Sequence, residues 1–331
     1  MFDIKTLLAQ VAATEYKSII MDPEIGQHPN QNEFLIFLKP EIFMDTPEFQ
    51  EKRIEFINGK LEEFGVTVEG AMVVGGKYIE EKGLMASHYG FINQVSNTAS
   101  SLVTVEDRKR MTELLGEDCS NTIVLGGHEA LKKFPDMTPK ALDDFWFTKK
   151  SLKVKSGMYF QKYTYAGVDF LLVDGFHPQQ LAYFTEPSRR VLLLVCHSMT
   201  DWKKLRWDMI GATFPESANE GSIRRSLHDR AGEFGYAKVD IANNGIHFSV
   251  GAFEALNELA NFVGKTVERD LLMECDFANV LASRGLDRAA IEASLKNPVI
   301  TTKEGVTKDL FGLTEDMSPA AAAELYINRK V

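Results

Sequence analysis

Three cysteines among 331 residues, Cys119, Cys196 and Cys275, stand far apart with no CxxC pair. That argues against a disulfide framework or a cysteine-built zinc site and fits a reducing compartment. No apolar run approaches the ~20 residues of a membrane span. The opening MFDIKTLLAQ scatters acidic and basic residues through a helical pattern, so it does not read as a secretory signal. The expected location is cytoplasmic, with no membrane partner. Basic charge is scarce too: 37 Lys and Arg stand against 47 Asp and Glu, a formal net charge of -10. Such a field repels polyanions, which argues against nucleic-acid binding as the main task and confines any phosphorylated ligand to a local pocket of Lys and Arg. Internal repeats and low-complexity tracts are missing as well. What remains is an ordinary globular composition, 44% hydrophobic and 25% charged, over a length that holds two domains or one domain with large additions.

Residues 1–20 follow a helical pattern, within an N-terminal helical segment over 1–32. EFLIFLKP, 33–40, is a near-continuous apolar run, as expected of a buried central strand. Thr46–Pro47 starts a helix in which Ile54, Ile57, Leu61 and Phe64 recur at helical spacing, and Gly65 stops it. VTVEGAMVV (66–74), RVLLLVCHS (190–198) and GIHFSV (245–250) read as further strands, with helices over Lys77 to about Gln94, over TDWKKLRWDMIG and over Ala252–Val263. With the segment 97–188 set aside, the core is βαββαβ. The expected fold class is α+β: a ferredoxin-like antiparallel sheet with helices packed on it, interrupted by a large insert. The main domain then spans 33–264, with insert 97–188 and a smaller insertion within 225–240. A C-terminal helical extension, 265–331, is expected to hold helices at Asp287–Lys296 and Pro319–Ile327, the latter capped by Ser318.

Several residues could carry chemistry. Lys39 ends a central strand. The segment GATFPESANEGSIRR offers the Thr213 hydroxyl and the Arg224 guanidinium among Gly211, Pro215 and Gly221, a combination suited to phosphate oxygens. His247 sits on a short strand after Asn244 and Gly245, and Glu258 lies three turns into the next helix, able to reach back to the imidazole or to Ser249. Tyr89 stands in SHYGF. Each has an ordinary structural reading by itself: a solvated cation, a satisfied polar residue at a strand end, an exposed helix glutamate, a half-buried aromatic.

Together, and in this order, FLIFLKPEIF, SHYGF, MIGATFPESANEGSIR and NNGIH-S with EALNELANF resemble the nucleoside diphosphate kinase family, over about 140 residues. The resemblance implies that His247 is the phosphorylated nucleophile of a ping-pong transfer from a nucleoside triphosphate to a nucleoside diphosphate, oriented by Glu258 and Ser249. It also implies that Lys39 and Asn244 contact ribose hydroxyls and nearby phosphate, that Thr213 and Arg224 hold the phosphate chain, and that Tyr89 lines the γ-phosphate pocket. Mg2+ would be held mainly by the nucleotide's phosphates, with no protein metal site, and the chain would form a homo-oligomer with a dimer as basic unit. There are departures. Trp207 stands where the family has a phosphate-binding arginine, leaving the neighbouring Arg206 as the candidate replacement. Val250 replaces an aspartate and Phe248 a glycine. The insert begins where the family's nucleotide-clamping hairpin would lie. These departures motivate an alternative: a catalytically weak nucleotide-binding or assembly protein on the same fold. Five lysines of the insert (149, 150, 153, 155 and 162) alternate with aromatics and read as an exposed hairpin face rather than a nucleic-acid groove. His88 and His177 receive no role.

Overall fold

The computed structural model describes residues 3–330. The chain up to Tyr78 together with the chain from Pro187 onward forms one compact unit, and Ile79–Glu186 forms another. The strands, in chain order, are β1 (Lys17–Met21), β2 (Asn32–Leu38), β3 (Thr67–Gly75), β4 (Ile123–Gly126), β5 (Leu152–Lys155), β6 (Met158–Tyr165), β7 (Val168–Val173), β8 (Arg190–Ser198), β9 (Ile246–Phe248), β10 (Val299–Thr301) and β11 (Thr307–Asp309).

The first unit is built on a five-stranded sheet of order β1-β3-β8-β2-β9, with every neighbour antiparallel. Without β1 this is the expected ferredoxin-like arrangement: β8 is inserted between β3 and β2, and β9 is added outside β2. β2 and β8 are central, and their continuous apolar runs are buried on both faces, from Phe34 to Leu38 and from Val191 to Cys196. β1 corrects the helical reading of residues 1–32. Among the described residues of that segment only Ile4–Ala13 is helical, and Lys17–Met21 pairs with β3 as an edge strand. Its half-exposed KSIIM, with Ile19 43% exposed, has no clean alternation to mark it. The extension from 265 onward is likewise not wholly helical. Helices Asp276–Ser283, Arg288–Ser294, Leu310–Thr314 and Pro319–Ile327 are joined by the β10–β11 hairpin.

Helix Pro47–Glu63 connects β2 to β3 and turns Ile54, Ile57, Leu61 and one charged residue, Arg53, inward. Arg53 is fully buried. Its Nε donates to Phe234 O (2.7 Å), its Nη1 to the carbonyls of Glu41 (3.0 Å), Ile42 (3.3 Å) and Met44 (2.8 Å), and its Nη2 meets Asp45 Oδ2 at 2.7 Å. Tyr236 stacks on the guanidinium at 4.0 Å. The smaller insertion within 225–240 thus supplies Phe234 and Tyr236 to a junction that fixes the turn after Lys39.

The second unit has its own sheet, β4-β7-β6-β5, in which β4 and β7 run parallel and the rest antiparallel. One side packs Val95, Ala99 and Met111 from two helices against Met158, Phe160 and Leu171. The other packs Phe134, Leu142 and Trp146 against Tyr163, Phe170 and Leu172. Because helix Gly90–Leu102 contributes Val95 and Ala99 to this core, the unit begins at Ile79 rather than at 97. The lysines are largely engaged within the unit. Lys155 pairs with Asp107 (2.8 Å) and Lys162 with Glu117 (3.0 Å), Lys149 donates to Lys162 O, and Lys149 and Lys153 lie over Tyr163 and Tyr159. Among the described residues no helix is long and apolar enough to cross a membrane.

Candidate functional site

β9 has only three residues because its flanks turn sharply. Gly245 adopts φ +79, and a Cβ there would meet Leu227 at 2.9 Å and Ile42 at 3.1 Å. Its N–H donates to Glu41 Oε1 (2.9 Å) and its carbonyl accepts from Lys39 N (2.9 Å). β9 hangs on β2 in the register Ile36↔Phe248, Phe37↔His247, Leu38↔Ile246. Alternation buries Ile246 and Phe248, the latter edge-on to Phe34 at 5.1 Å and tilted against Trp202 at 6.2 Å. That burial is worth about 1.5–3 kcal/mol and accounts for a large side chain at this position.

His247 points the other way, stacked on its cross-strand partner Phe37 with centroids 4.3 Å apart and 15° between planes. Its side chain is 15% exposed. Nε2 lies 2.7 Å from Glu258 Oε1, and the Ser249 hydroxyl bonds the other carboxylate oxygen. Ser249 also bonds Leu35 N and O at 3.1 Å each, which ties the relay to β2. A carboxylate accepting at Nε2 selects the Nε2–H tautomer and puts the in-plane lone pair on Nδ1, the nitrogen that can act as nucleophile. One helical turn before Glu258, Glu254 accepts from Val250 N (2.9 Å). Burial, then the charge of Glu258, push its carboxyl up to about 8.

A second cluster collects around residues 244–246. Lys39, 8% exposed, donates to Asn244 Oδ1 at 2.6 Å. The Asn244 amide donates to Thr213 O (3.2 Å) and Ile241 O (3.3 Å). Arg224 donates to Gly211 O (3.0 Å) and to Ile246 O (2.9 Å), the carbonyl just before His247. Burial lowers the Lys39 ammonium to about 8, with Glu41 opposing and Arg224 reinforcing the shift. Gly211, at φ +92, lets Ser222 and Ala218 approach where a Cβ would sit 2.5 and 2.9 Å away. Lys39, Thr213, Arg224 and Asn244 thus meet beside the strand that carries His247.

Arg206 and Trp207 lie on a π-helical turn, Leu205–Ile210, closed by Gly211 N to Arg206 O at 2.9 Å. Such turns concentrate at functional positions. Both side chains meet the C-terminal extension. Arg206 Nη1 contacts Glu315 Oε2 (3.0 Å) and Asp316 Oδ1 (3.1 Å), and Trp207 Nε1 donates to Asp316 Oδ2 (2.9 Å). Asp316 N donates in turn to Val250 O (2.9 Å). The backbone of Asp316 thus meets position 250, while its carboxylate engages Arg206 and Trp207. Glu315 and Asp316 carry no local signal that would have marked them. Glu254 is absent from the expected site; its i−4 spacing from Glu258, which puts both on one helix face, is the signal that marks it. Tyr89 belongs to the second unit, where its ring is edge-on to His88 at 4.5 Å.

No family model matches the chain, and no curated protein matches it. Solved structures similar to it include nucleoside diphosphate kinase from Encephalitozoon cuniculi, cubic apo form, at 15% identity over 70% of this chain and 88% of that one, with a TM-score of 0.33. An NDP kinase from Pyrobaculum aerophilum is similar at 17% identity over 69% and 93%, with a TM-score of 0.34.

Proposed function

We propose that the protein is a nucleoside diphosphate kinase whose His247 carries the phosphoryl group between nucleotides. The observation that supports this most is the His247–Glu258–Ser249 relay: a half-buried imidazole held through Nε2 by a carboxylate that is itself held by a hydroxyl. His247 Nδ1 attacks the γ-phosphorus, the P–N bond forms, and the bond to the β,γ-bridging oxygen breaks as the nucleoside diphosphate leaves. Nε2 keeps its proton, and Glu258 balances the charge that develops on the ring. A second diphosphate reverses the step. Because the transition state is loose, Lys39, Arg224, Asn244 and Thr213 contribute position and charge rather than proton transfer. The local carboxylates already accept backbone N–H groups, Glu41 from Gly245 and Asp240 from Ala242 and Asn243. This fits an Mg2+ ion carried on nucleotide oxygens, where it would neutralise phosphate charge. The expected ligands are nucleoside di- and triphosphates, and the expected assembly is a homo-oligomer built on a dimer.

Brief incubation with γ-labelled ATP and Mg2+, then a chase with GDP or CDP, tests this. The expected result is an acid-labile, alkali-stable label on wild type, absent from His247→Ala and discharged by either diphosphate. One observation favours a second reading, a nucleotide-binding protein of weak turnover: Arg206 is engaged by Glu315 and Asp316. Tight ATP binding with no label would select that reading.

The Lys39 ammonium, lowered to about 8, gives a pH signature. Its charge is present below that pH and lost above it, so kcat/KM for the triphosphate should fall as pH rises through about 8, since this parameter reports free-enzyme groups. Lys39→Met should be low and flat over the same range. A wild-type profile flat from pH 7 to 9 would remove Lys39 from phosphate binding.

A further inference from the structure

The β3–β8 ladder carries an irregularity at Glu69. Val68 pairs with Cys196 and Gly70 with Val195, leaving Glu69 as the extra residue. A bulge of this kind re-aims a side chain. The loop after β1 lies directly over it: Glu69 O accepts from Glu24 N at 2.9 Å, and a Cβ on Gly70 would stand 2.7 Å from Pro23 Cα. The bulge, the loop and β8 bring together Glu69, His28 and His197, with one nitrogen or oxygen ligand atom from each, all within 4.8 Å of one another. His197 Nε2 is 2.8 Å and His28 Nε2 3.5 Å from the same oxygen, Glu69 Oε1. The two imidazoles stack at 3.7 Å, 11° from parallel.

His197 lies between an amide oxygen and a carboxylate oxygen. His197 Nδ1 lies 2.7 Å from Gln31 Oε1 and donates its N–H there. Nε2 then presents a lone pair to a carboxylate oxygen, and two acceptors at 2.8 Å repel unless a cation lies between them.

We propose that His28, His197 and Glu69 form a binding site for one divalent transition-metal ion of the zinc class, with two imidazole nitrogens and one carboxylate oxygen as protein ligands and water completing the shell. The surroundings are those of a braced ligand set. Gln31 orients His197, and Asp276 Oδ2 accepts the His28 backbone N–H at 3.0 Å. Glu33 accepts from Gly26 N (2.7 Å) and Asp276 N (3.0 Å), which ties the loop to the C-terminal extension. Outer partners of this kind fix ring orientation in metal sites. Parallel rings direct their lone pairs side by side. Ligation therefore swings the His28 ring, on a loop and 30% exposed, out of the stack and toward the ion held by Glu69 and His197. None of the three residues belongs to the phosphoryl-transfer set, so the site would tie loop, β3 and β8 together independently of His247.

Tag-free, metal-stripped full-length protein is titrated with Co2+, followed by its visible d–d absorption, and then with Zn2+. The expected result is one Co2+ per chain, displaced by Zn2+, with a rise in unfolding temperature on binding. His28→Gln and Glu69→Gln, both at partly exposed positions, should keep the fold and weaken binding by more than the roughly 10- to 100-fold that loss of an outer partner costs. His247→Gln should leave the stoichiometry unchanged. Absence of binding at millimolar metal would overturn the site and leave a shared proton as the link between His197 and Glu69. Binding that survives both ligand substitutions, or is lost only with His247→Gln, would overturn it equally.

Discussion

Glu258→Gln should slow phosphorylation of the chain by about 10²- to 10⁴-fold while leaving its folding free energy within about 1 kcal/mol. The substitution keeps volume and hydrogen-bonding capacity. Ser249 Oγ can accept from the new amide while it donates to Leu35 O, which it already contacts at 3.1 Å. What changes is the imidazole. An amide NH2 facing Nε2 requires a lone pair there and moves the ring proton to Nδ1, the nitrogen that must attack. An amide oxygen facing Nε2 preserves the tautomer but no longer offsets the positive charge that forms on the phosphorylated ring. Both orientations cost rate, and the first costs most, as wrong-tautomer substitutions do in other histidine relays. Rapid-quench measurement of phosphoenzyme formation gives the rate, and nitrogen-15 shifts of the His247 ring report the tautomer. An unchanged rate in a properly folded variant would take Glu258 out of the mechanism.

Arg53→Met should lower the urea-unfolding free energy by about 3–5 kcal/mol, the range for removing one partner of a buried charged network. The methionine fills most of the volume, but the carbonyls of Phe234, Glu41, Ile42 and Met44 lose this donor, and each buried acceptor left unmade costs about 1–3 kcal/mol. Asp45, 44% exposed, turns to water and contributes little. Arg53→Lys should recover only part of the loss, because an ammonium cannot reproduce the planar fork that serves five acceptors. Since the same junction fixes the turn after Lys39, nucleotide affinity should fall with stability in both variants. A Met variant as stable as wild type would show that these carbonyls find other donors.

The parts of the fold legible in the sequence were those with a one-dimensional signature. β2 and β8 are continuous apolar runs because neighbours cover them on both sides. Helix Pro47–Glu63 begins at Thr46–Pro47 and ends before Gly65, and Ser318 caps Pro319–Ile327, because caps are local chemistry. β1 is not legible because an edge strand with Ile19 outward has no pattern to read, and the start of the inserted unit is hidden because Val95 and Ala99 look like any amphipathic helix until their partners are known. At the site, the spacing of His247, Ser249 and Glu258 was legible because a strand and the next helix form one short segment. The engagement of Arg206 with Glu315 and Asp316, like the burial of Arg53, depends on residues brought from far along the chain, which spacing does not encode.

The position of β8 also orders events at the ribosome. β8 lies between β3 and β2 in the sheet, with pairs Val74↔Val191 and Leu38↔Leu192, yet all of 79–186 precedes it in synthesis. At about 5–20 residues per second, the nascent chain exposes two apolar strands for several seconds with no central strand to join them. The inserted unit, whose sheet pairs only within itself, can close during that interval. Its closure shortens the effective loop that β8 must span, a saving that grows only with the logarithm of loop length. The larger burden is kinetic: β2 and β3 wait as open edges that other chains can pair with, so the His247 site, which needs β9 on β2, assembles only after that exposed interval.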